Sequence, residues 1–273
     1  MEDFSTEIAD KNDTYNILFI IALKYFRNYD TFIKYYVDNI QKFYPDSFTL
    51  IIDNNSNYIA DIHTMFNGYD NVKIITNTST KKMDIGAYLF GIDYLVENNL
   101  VNTYDFVVFS QDTYVLKNKY DFNIFIENNI TAAAVHSFPV GPGMLSKEMV
   151  ENLQLTHVLD KITLCWCNTF ILHKSKILEL REMLSPIVIF DKSITHYAER
   201  FLSGMLYILN DNSNFALDYT DQCTYLRKVT NPETCTENRY FIKILQNKDD
   251  STQDVEDFSV AIAEKNLLTP EQA

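Results

Sequence analysis

Residues 16–23, NILFIIAL, form a short and almost continuous apolar run. Such a run is typical of a strand that is covered on both faces, as the strands of a parallel sheet are. Residues 29–44, YDTFIKYYVDNIQKFY, follow it with large apolar side chains at helical spacing, and Pro45 ends the pattern. Together the two stretches predict a strand and a crossover helix, the unit from which parallel sheets are built.

The same alternation continues to residue 110. Apolar runs predict further strands at 47–53, 71–76 and 104–110, and amphipathic stretches predict helices at 57–69 and 83–99. The resulting order, β-α-β-α-β-α-β, has connections of ordinary length. It predicts the α/β class, with a mostly parallel central sheet flanked by helices on both faces.

The second half of the chain is less regular. It predicts a strand that leads into a Gly/Pro loop within 130–144, a strand at 164–173, and helices at 174–184 and 193–209. No internal repeat and no linker divides the sequence. We therefore expect a single domain over residues 15–246, with an N-terminal extension at 1–14 and an acidic, mobile tail at 247–273.

Composition and charge exclude several classes of protein. The formal net charge of the 273 residues is -14, which argues against binding to nucleic acid or to an anionic membrane surface. No apolar run approaches the roughly 20 residues that a membrane-spanning helix needs. The acidic N-terminus lacks the basic-then-apolar pattern of a secretory signal, so we expect a soluble, cytoplasmic protein without a transmembrane segment.

Two aspartates follow predicted strands at the edge where parallel sheets bind ligands. Asp53 ends the strand 47–53, where its carboxylate can accept hydrogen bonds from a base or a ribose, or can instead cap the next helix. Asp112 follows the strand 104–110, where a hard oxygen ligand can hold Mg²⁺ or Mn²⁺ against a diphosphate, or can simply sit in a turn. The sequence contains neither GxGxxG nor GxxxxGK[ST], which argues against a dinucleotide-binding fold and a P-loop.

In its order of motifs the chain resembles glycosyltransferases of the GT-A fold, especially small transferases of large DNA viruses and bacteria. The resemblance covers roughly residues 15–230. It implies a GT-A-like, Rossmann-like domain that takes a UDP- or GDP-sugar as donor, a glycan or other hydroxyl compound as acceptor, and Mn²⁺ or Mg²⁺ as cofactor. The motifs that carry it are LIIDNNS (50–56), GAY (86–88), FSQDT (109–113), CNTFILHKSKILEL (167–180) and ERFLSGMLYIL (199–209).

The resemblance also implies roles for individual residues. Asp53 contacts the nucleoside. Ser110, Gln111 and Asp112 stand at the D-x-D position, where the metal ligand of this chain is Asp112 because the first acid is missing. At the start of the helix 83–99, Lys81, Asp84 and Gly86 lie against the sugar nucleotide; packing of that helix on the sheet is the alternative role of Gly86.

The resemblance places the catalytic base on the last long helix. An inverting transfer needs a group that removes the proton of the acceptor hydroxyl. Glu199 matches the position of that acid, and Arg200 beside it holds phosphate or orients the glutamate; a solvated charged pair is the alternative. Two rival functions remain open: a sugar nucleotidyltransferase, for which Lys24 and Arg27 are phosphate candidates, and a catalytically degenerate binding module, which the missing first acid favours.

Overall fold

The chain is described by a computed structural model whose described residues are 15–24, 30–56, 59–81, 83–135, 137–139, 163–165, 168–187, 190–191, 195–211, 223–227, 241–245 and 259–260. The helices are α1 (Asp30–Phe43), α2 (Ile59–Met65), α3 (Met83–Glu97), α4 (Asn123–Glu127), α5 (Ile177–Leu184) and α6 (Thr195–Leu209). The strands up to residue 140 are β1 (Ile17–Leu23), β2 (Phe48–Asp53), β3 (Val72–Thr76), β4 (Phe106–Gln111), β5 (Tyr114–Leu116), β6 (Ala132–Ala134) and β7 (Ser137–Pro139). Those that follow are β8 (Thr163–Cys165), β9 (Phe170–His173), β10 (Phe190–Asp191), β11 (Cys223–Arg227), β12 (Phe241–Leu245) and β13 (Ser259–Val260).

A six-stranded sheet of order β3-β2-β1-β4-β9-β6 forms the centre of the described molecule. Strands β1 to β4 run parallel, and β9 is antiparallel to both of its neighbours, β4 and β6. The predicted α/β class with a mostly parallel central sheet is thereby confirmed. Smaller sheets join β11, β12 and β5, pair β7 with β8, and pair β10 with β13.

Helices cover both faces of this sheet because its strands are apolar on both sides. In β1 every residue is buried: Leu18, Ile20 and Ala22 pack into one core, and the residues between them pack into the other. Side chains of α3, α5 and α6 fill the first core. Those of α1, α2 and α4 fill the second.

The order of the strands creates a topological switch point between β1 and β4. From β1 the chain moves through α1 and α2 on one face to β2 and then β3, and it returns through α3 on the other face to β4. The connections that leave β1 and β4 therefore diverge. A crevice forms at the carboxyl ends of such strands, and it is where open α/β sheets bind their ligands.

The structure differs from the predicted elements in several places. The strand predicted at 164–173 is divided into β8 and β9, because Asn168 adopts a left-handed conformation with φ of 50°. Within 130–144, predicted as a strand that leads into a loop, the structure describes β6 and β7, and residues 136 and 140–144 lie outside the described residues; β5 and α4 were not predicted. Within the predicted tail, β13 pairs with β10, and the domain limits at 14 and 246 lie outside the described residues.

Candidate functional site

The carboxyl ends of the parallel strands bring the predicted site residues to one edge of the sheet, here called the carboxyl edge. Asp53 pairs in register with Leu23 of β1, and Gln111 pairs with Ala22, so Asp53 and Asp112 are level on either side of β1. Because neighbouring strands are about 4.8 Å apart, the two backbones are separated by roughly 10 Å. A diphosphate or a ribose spans a gap of this order.

Asp112 fastens the end of β4 to the end of β1. Its N–H donates to Ala22 O at 3.0 Å, and its Oδ2 accepts the N–H of Lys24 at 2.9 Å. The Lys24 ammonium in turn donates to the carbonyl of Asn55 at 2.8 Å, in the loop after β2. Asp112 is half-buried. Its carboxylate lies at the switch point, and Oδ2 is hydrogen-bonded to the backbone N–H of Lys24.

The two residues before Asp112 point to opposite faces of the sheet, as alternation along a strand requires. Ser110 is fully buried, and its Oγ accepts the hydroxyl hydrogen of Tyr36 of α1 at 2.9 Å. Gln111 points to the other face, where its Nε2 donates to Oδ2 of Asp84. Ser110 stands at the position of the missing first acid. Its buried hydroxyl is hydrogen-bonded to Tyr36 and therefore does not replace that acid as a metal ligand.

Among the described residues, Asp112 is the carboxylate of the D-x-D position that could hold the cation that the resemblance implies. Mg²⁺ sites of nucleotide enzymes are commonly built from one or two protein carboxylates, substrate phosphates and water. Asp112 fits a site of this kind that has a single protein carboxylate. Among the described residues, no three His, Cys, Asp or Glu side chains are grouped so that they could enclose a metal ion.

Asp84, in the first turn of α3, is held by two side-chain amides. Its Oδ2 accepts hydrogen bonds from Nε2 of Gln111 and, at 3.4 Å, from Nδ2 of Asn168. The residue before it, Met83, has a φ of 60°, which costs a bulky side chain free energy and fixes the entry into the helix. The three side chains bring β4, α3 and the turn before β9 together next to Asp112.

Asn168 has an unusual environment within this group. It is 4% exposed, and its Oδ1 has no hydrogen-bond partner among the residues that the structure describes. A buried acceptor without a donor costs about 1–3 kcal/mol. A ligand hydroxyl that donates to this oxygen would remove the penalty, so Asn168 is a candidate binding residue.

Asp53 is buried and acts in the turn that follows β2. Both of its carboxylate oxygens lie 3.1 Å from the N–H of Ser56, so the side chain organises the connection to α2. This is the capping role that the sequence allowed as an alternative. Contact with a nucleoside is not tested by this geometry and stays a prediction.

The loop between β3 and α3 is held by a chain of polar side chains. Asn77, 1% exposed, donates to Asn54 Oδ1 at 3.0 Å and to the carbonyl of Lys81 at 2.8 Å. Ser79 donates to Asn77 Oδ1 at 2.6 Å and accepts the N–H of Lys81 at 3.2 Å. These hydrogen bonds fix the conformation of the loop, which borders the carboxyl edge.

Lys81 reaches away from the sheet edge. Its ammonium donates to the carbonyl of Ser185, at the end of α5. Burial lowers the pKa of Lys81, and the nearby carboxylate of Asp93 offsets part of that effect. The predicted contact of Lys81 with phosphate is untested and requires the side chain to leave Ser185. Lys82 lies outside the described residues.

Position 86 must be glycine because the β3–α3 loop, and not the sheet, packs against it. A Cβ built on Gly86 would lie 2.4 Å from the carbonyl carbon and 2.5 Å from the oxygen of Lys81, which are backbone atoms. Gly91, which lies on a different face of α3, packs against the sheet instead. A Cβ built on Gly91 would lie 3.0 Å from a methyl group of Ile20. The first glycine therefore lets the β3–α3 loop pack onto the first turn of α3.

We expect Gly86→Ala to destabilise the fold by about 1–3 kcal/mol, because the backbone of the loop must move to admit a methyl group. Gly91→Ala is the matched control in the same helix. There the better helix propensity of alanine, about 1 kcal/mol, opposes a contact that Ile20 relieves by a shift of a few tenths of an ångström, without any movement of backbone atoms. Urea unfolding of both variants measures the difference; equal stabilities would contradict the assigned role of Gly86.

Helix α6 carries Glu199 and Arg200 toward the carboxyl edge. Its C-terminal end is fixed at the opposite edge, where Thr131, just before β6, donates from its Oγ1 to Leu209 O at 2.6 Å and from its N–H to Asn210 Oδ1 at 2.9 Å. Strand β6 runs parallel to β4 and rises about 13 Å from Thr131 to Val135. The helix rises about 16 Å from Asn210 back to Glu199, so the backbone of Glu199 is close to the level of the carboxyl edge.

Side-chain detail at this helix begins at Arg200, which is half-buried; the side chain of Glu199 lies outside the described residues. The structure therefore brings together Asp53, Asp84, Gly86, Gln111 and Asp112, turns Lys81 away, and places Glu199 and Arg200 by backbone position. The sequence did not identify Asn168. An asparagine that interrupts the apolar run 164–173 was the signal, because asparagine tolerates the left-handed conformation that breaks a strand.

Comparison with known proteins gives structural similarities only. No protein-family model matches the sequence, and no curated protein matches it. The galactosyltransferase LgtC, solved with donor and acceptor sugar analogues, has a TM-score of 0.46 and 7% identity over 84% of this chain and 87% of its own. The bifunctional glycosyltransferase WbbM has a TM-score of 0.45 and 12% identity over 77% of this chain, which spans only 40% of WbbM.

A third similar structure is glucosyl-3-phosphoglycerate synthase from Mycobacterium tuberculosis with Mn²⁺, UDP and its product. Its TM-score is 0.39, with 13% identity over 74% of this chain and 67% of its own. The solved structures that this chain resembles are thus glycosyltransferases, as the sequence predicted. All three scores lie below 0.5, so we base the function on the residues of the carboxyl edge. In the part of the chain described, no helix has the length and apolar content needed to cross a bilayer.

Proposed function

We propose that this protein is a glycosyltransferase that moves a sugar from a UDP- or GDP-sugar to a hydroxyl group of an acceptor. The observation that carries the proposal is the group of Asp84, Gln111 and Asn168 next to Asp112 at the switch point of the sheet. A pyranose presents hydroxyls that both donate and accept hydrogen bonds. Carboxylates and amides in a fixed arrangement are the side chains that match such a ligand.

The donor sugar is assigned to Asp84 and Asn168. Two amide donors hold the carboxylate of Asp84 in one orientation, which lowers the entropic cost of using it to bind a hydroxyl. The buried Oδ1 of Asn168 gains its first donor when a sugar hydroxyl arrives. Asp53, across β1 from Asp112, is assigned to the nucleoside, with its contact to Ser56 as the support that fixes its position.

The diphosphate is assigned to the region of Asp112 and Arg200. Asp112 is the residue that would hold Mn²⁺ or Mg²⁺; when bound, such an ion neutralises the charge that develops on the departing nucleoside diphosphate. Gly86 gives the β3–α3 loop its close approach to α3 beside this region. Arg200 supplies a guanidinium, which matches phosphate oxygens in geometry and charge.

The transfer is proposed as one displacement with inversion at the anomeric carbon. The acceptor oxygen forms a bond to that carbon while the bond to the diphosphate oxygen breaks, and its electron pair leaves with the nucleoside diphosphate. Glu199 takes the proton of the acceptor hydroxyl. The level of the N-terminal turns of α6, near that of the carboxyl edge, supports this assignment.

A binding module without catalysis is the second candidate. The enclosure of Ser110 by Tyr36 and the bond from the Lys24 N–H to Asp112 favour it, because both remove groups that a D-x-D site would use. Nucleotide sugar would then bind without being turned over. Turnover assays of the kind described in the Discussion separate the two candidates.

Thermal-shift assays with UDP- and GDP-sugars test the proposal, since a ligand of the native state raises Tm by mass action. We expect Asn168→Gly to keep or raise the Tm of the free protein, because glycine accepts the positive φ and removes the orphaned oxygen. The same variant should lose most of the shift caused by the nucleotide sugar and keep the shift caused by free UDP or GDP. Absence of any shift in the wild-type protein, with or without Mn²⁺, would contradict the proposed function.

A further inference from the structure

We propose that the ammonium group of Lys24 binds the diphosphate of the nucleotide-sugar donor, so that nucleotide binding does not depend on a divalent cation. The inference rests on the proposed function and adds a residue and a metal-independent binding mode to it. It starts from the position of Lys24, the first residue after β1 and therefore at the switch point with β4.

The backbone of Lys24 is fixed on one side. Its N–H donates to the carboxylate of Asp112 at 2.9 Å, which continues the β1–β4 ladder one step beyond Ala22. The side chain crosses to the other neighbour of β1, where its Nζ donates to Asn55 O at 2.8 Å. Asn55 has a φ of 64°, a conformation that asparagine tolerates. The ammonium thus lies at the ends of β1 and β2, on the Asp53 side of β1.

The charges of the carboxyl edge require a cation there. Asp53, Asp84 and Asp112 place three carboxylates around the switch point, and the formal charge of the whole chain is -14. A diphosphate that enters this region is repelled unless positive charge lies close to it, since like charges at short range disfavour one another. A D-x-D site would supply that charge through a metal held by two acids, and here the first acid is replaced by the enclosed Ser110.

Lys24 is better placed for this role than Lys81. The Lys81 ammonium donates to Ser185 at the end of α5, away from the strand ends. Lys24 follows directly on β1, the strand that lies between the two aspartates, and one of its contacts, that with Asn55, is to a neutral carbonyl. An ammonium carries three donors, and a phosphate oxygen that enters this region can compete for them.

A purely structural role for Lys24 makes a different prediction. A lysine that only ties the β2–α2 loop to β1 would affect stability slightly and nucleotide affinity not at all. Lys24→Met keeps the apolar stem and the backbone N–H to Asp112, and removes the charge together with the hydrogen bond to Asn55 O. Lys73→Met is the matched control, because Lys73 is an exposed lysine of β3 whose ammonium donates to Tyr94 at 2.9 Å on the flank of the sheet.

The test is calorimetric titration with UDP, GDP and their nucleosides, in EDTA and in Mn²⁺, on the full chain. We expect wild-type protein to bind one of the nucleotides in EDTA, and Lys24→Met to bind it about 10- to 100-fold more weakly, as for the loss of a charged hydrogen bond. Lys24→Arg should recover most of the affinity. Lys73→Met should match the wild type, and affinity for uridine or guanosine should not change in any variant.

Three outcomes would overturn the inference. Binding that occurs only with Mn²⁺ would leave the proposed function in place and remove the metal-independent mode. Equal affinities of the wild type and Lys24→Met in EDTA would assign Lys24 to structure alone. Failure of every nucleotide to bind under both conditions would remove the proposed function together with this inference.

Discussion

Replacing Glu199 by glutamine should lower kcat by about 10²- to 10⁴-fold, the usual contribution of a general base. Glutamine has nearly the same shape and cannot take the proton of the acceptor hydroxyl. The affinity for UDP or GDP should stay within about twofold, because the role assigned to Glu199 lies on the acceptor side and not at the nucleotide. A large loss of kcat with unchanged nucleotide affinity is therefore the expected signature.

The measurement is release of UDP or GDP from the nucleotide sugar that gives the largest thermal shift, with simple sugars as acceptors. Glu182→Gln, at an exposed position on α5, is the matched control and should keep the wild-type rate. A variant that retains more than about a third of wild-type kcat would exclude Glu199 as the base.

The sequence predicted the parallel half of the sheet because each of its strands is decided locally. NILFIIAL can be stable only when covered on both faces, and all seven residues of β1 are buried as that pattern requires. The capping chemistry after β2 and the helical spacing of α1 were equally local. The strand order β3-β2-β1-β4 was not predicted, because short right-handed connections leave more than one arrangement of four parallel strands open.

The details of the site could not be predicted in this way because they depend on contacts between distant segments. The pattern FSQDT shows Ser110 two residues before Asp112, and only the fold reveals that Tyr36, 74 positions from Ser110, donates its hydroxyl hydrogen to the serine. Gly86 suggested either a ligand or the sheet, whereas its close neighbour is the backbone of Lys81. Asn168 joins Asp84 across 84 positions, a pairing that no spacing rule contains.

The same limit explains why the two aspartates of strand β4 need a structure to tell them apart. Asp105 and Asp112 flank the strand, one at each end. Asp105 accepts the N–H of Asn16 at 3.0 Å and the ammonium of Lys174 at 2.7 Å, at the amino edge of the sheet. Asp112 lies at the carboxyl edge, next to Lys24 and Gln111. Position relative to the strand direction, and not the residue type, separates a structural carboxylate from a candidate functional one.

Asp112→Asn should therefore lower kcat with the nucleotide sugar by about 10²- to 10³-fold or more, the range found when a group that stabilises transition-state charge is removed. The fold should be kept, because Oδ1 of asparagine can still accept the N–H of Lys24. The assay is nucleotide release in Mn²⁺, with the melting temperature measured in parallel.

Asp105→Asn provides the control from the other end of the strand. It weakens a half-exposed ion pair with Lys174, so a loss of at most about 1 kcal/mol in stability is expected with no change in kcat. The two variants remove the same charge from the same strand and differ only in the edge that they alter. If Asp112→Asn turned over the donor as fast as Asp105→Asn, the carboxylate at the switch point would have no part in the reaction, and Asp112 would be a residue that holds β1 to β4.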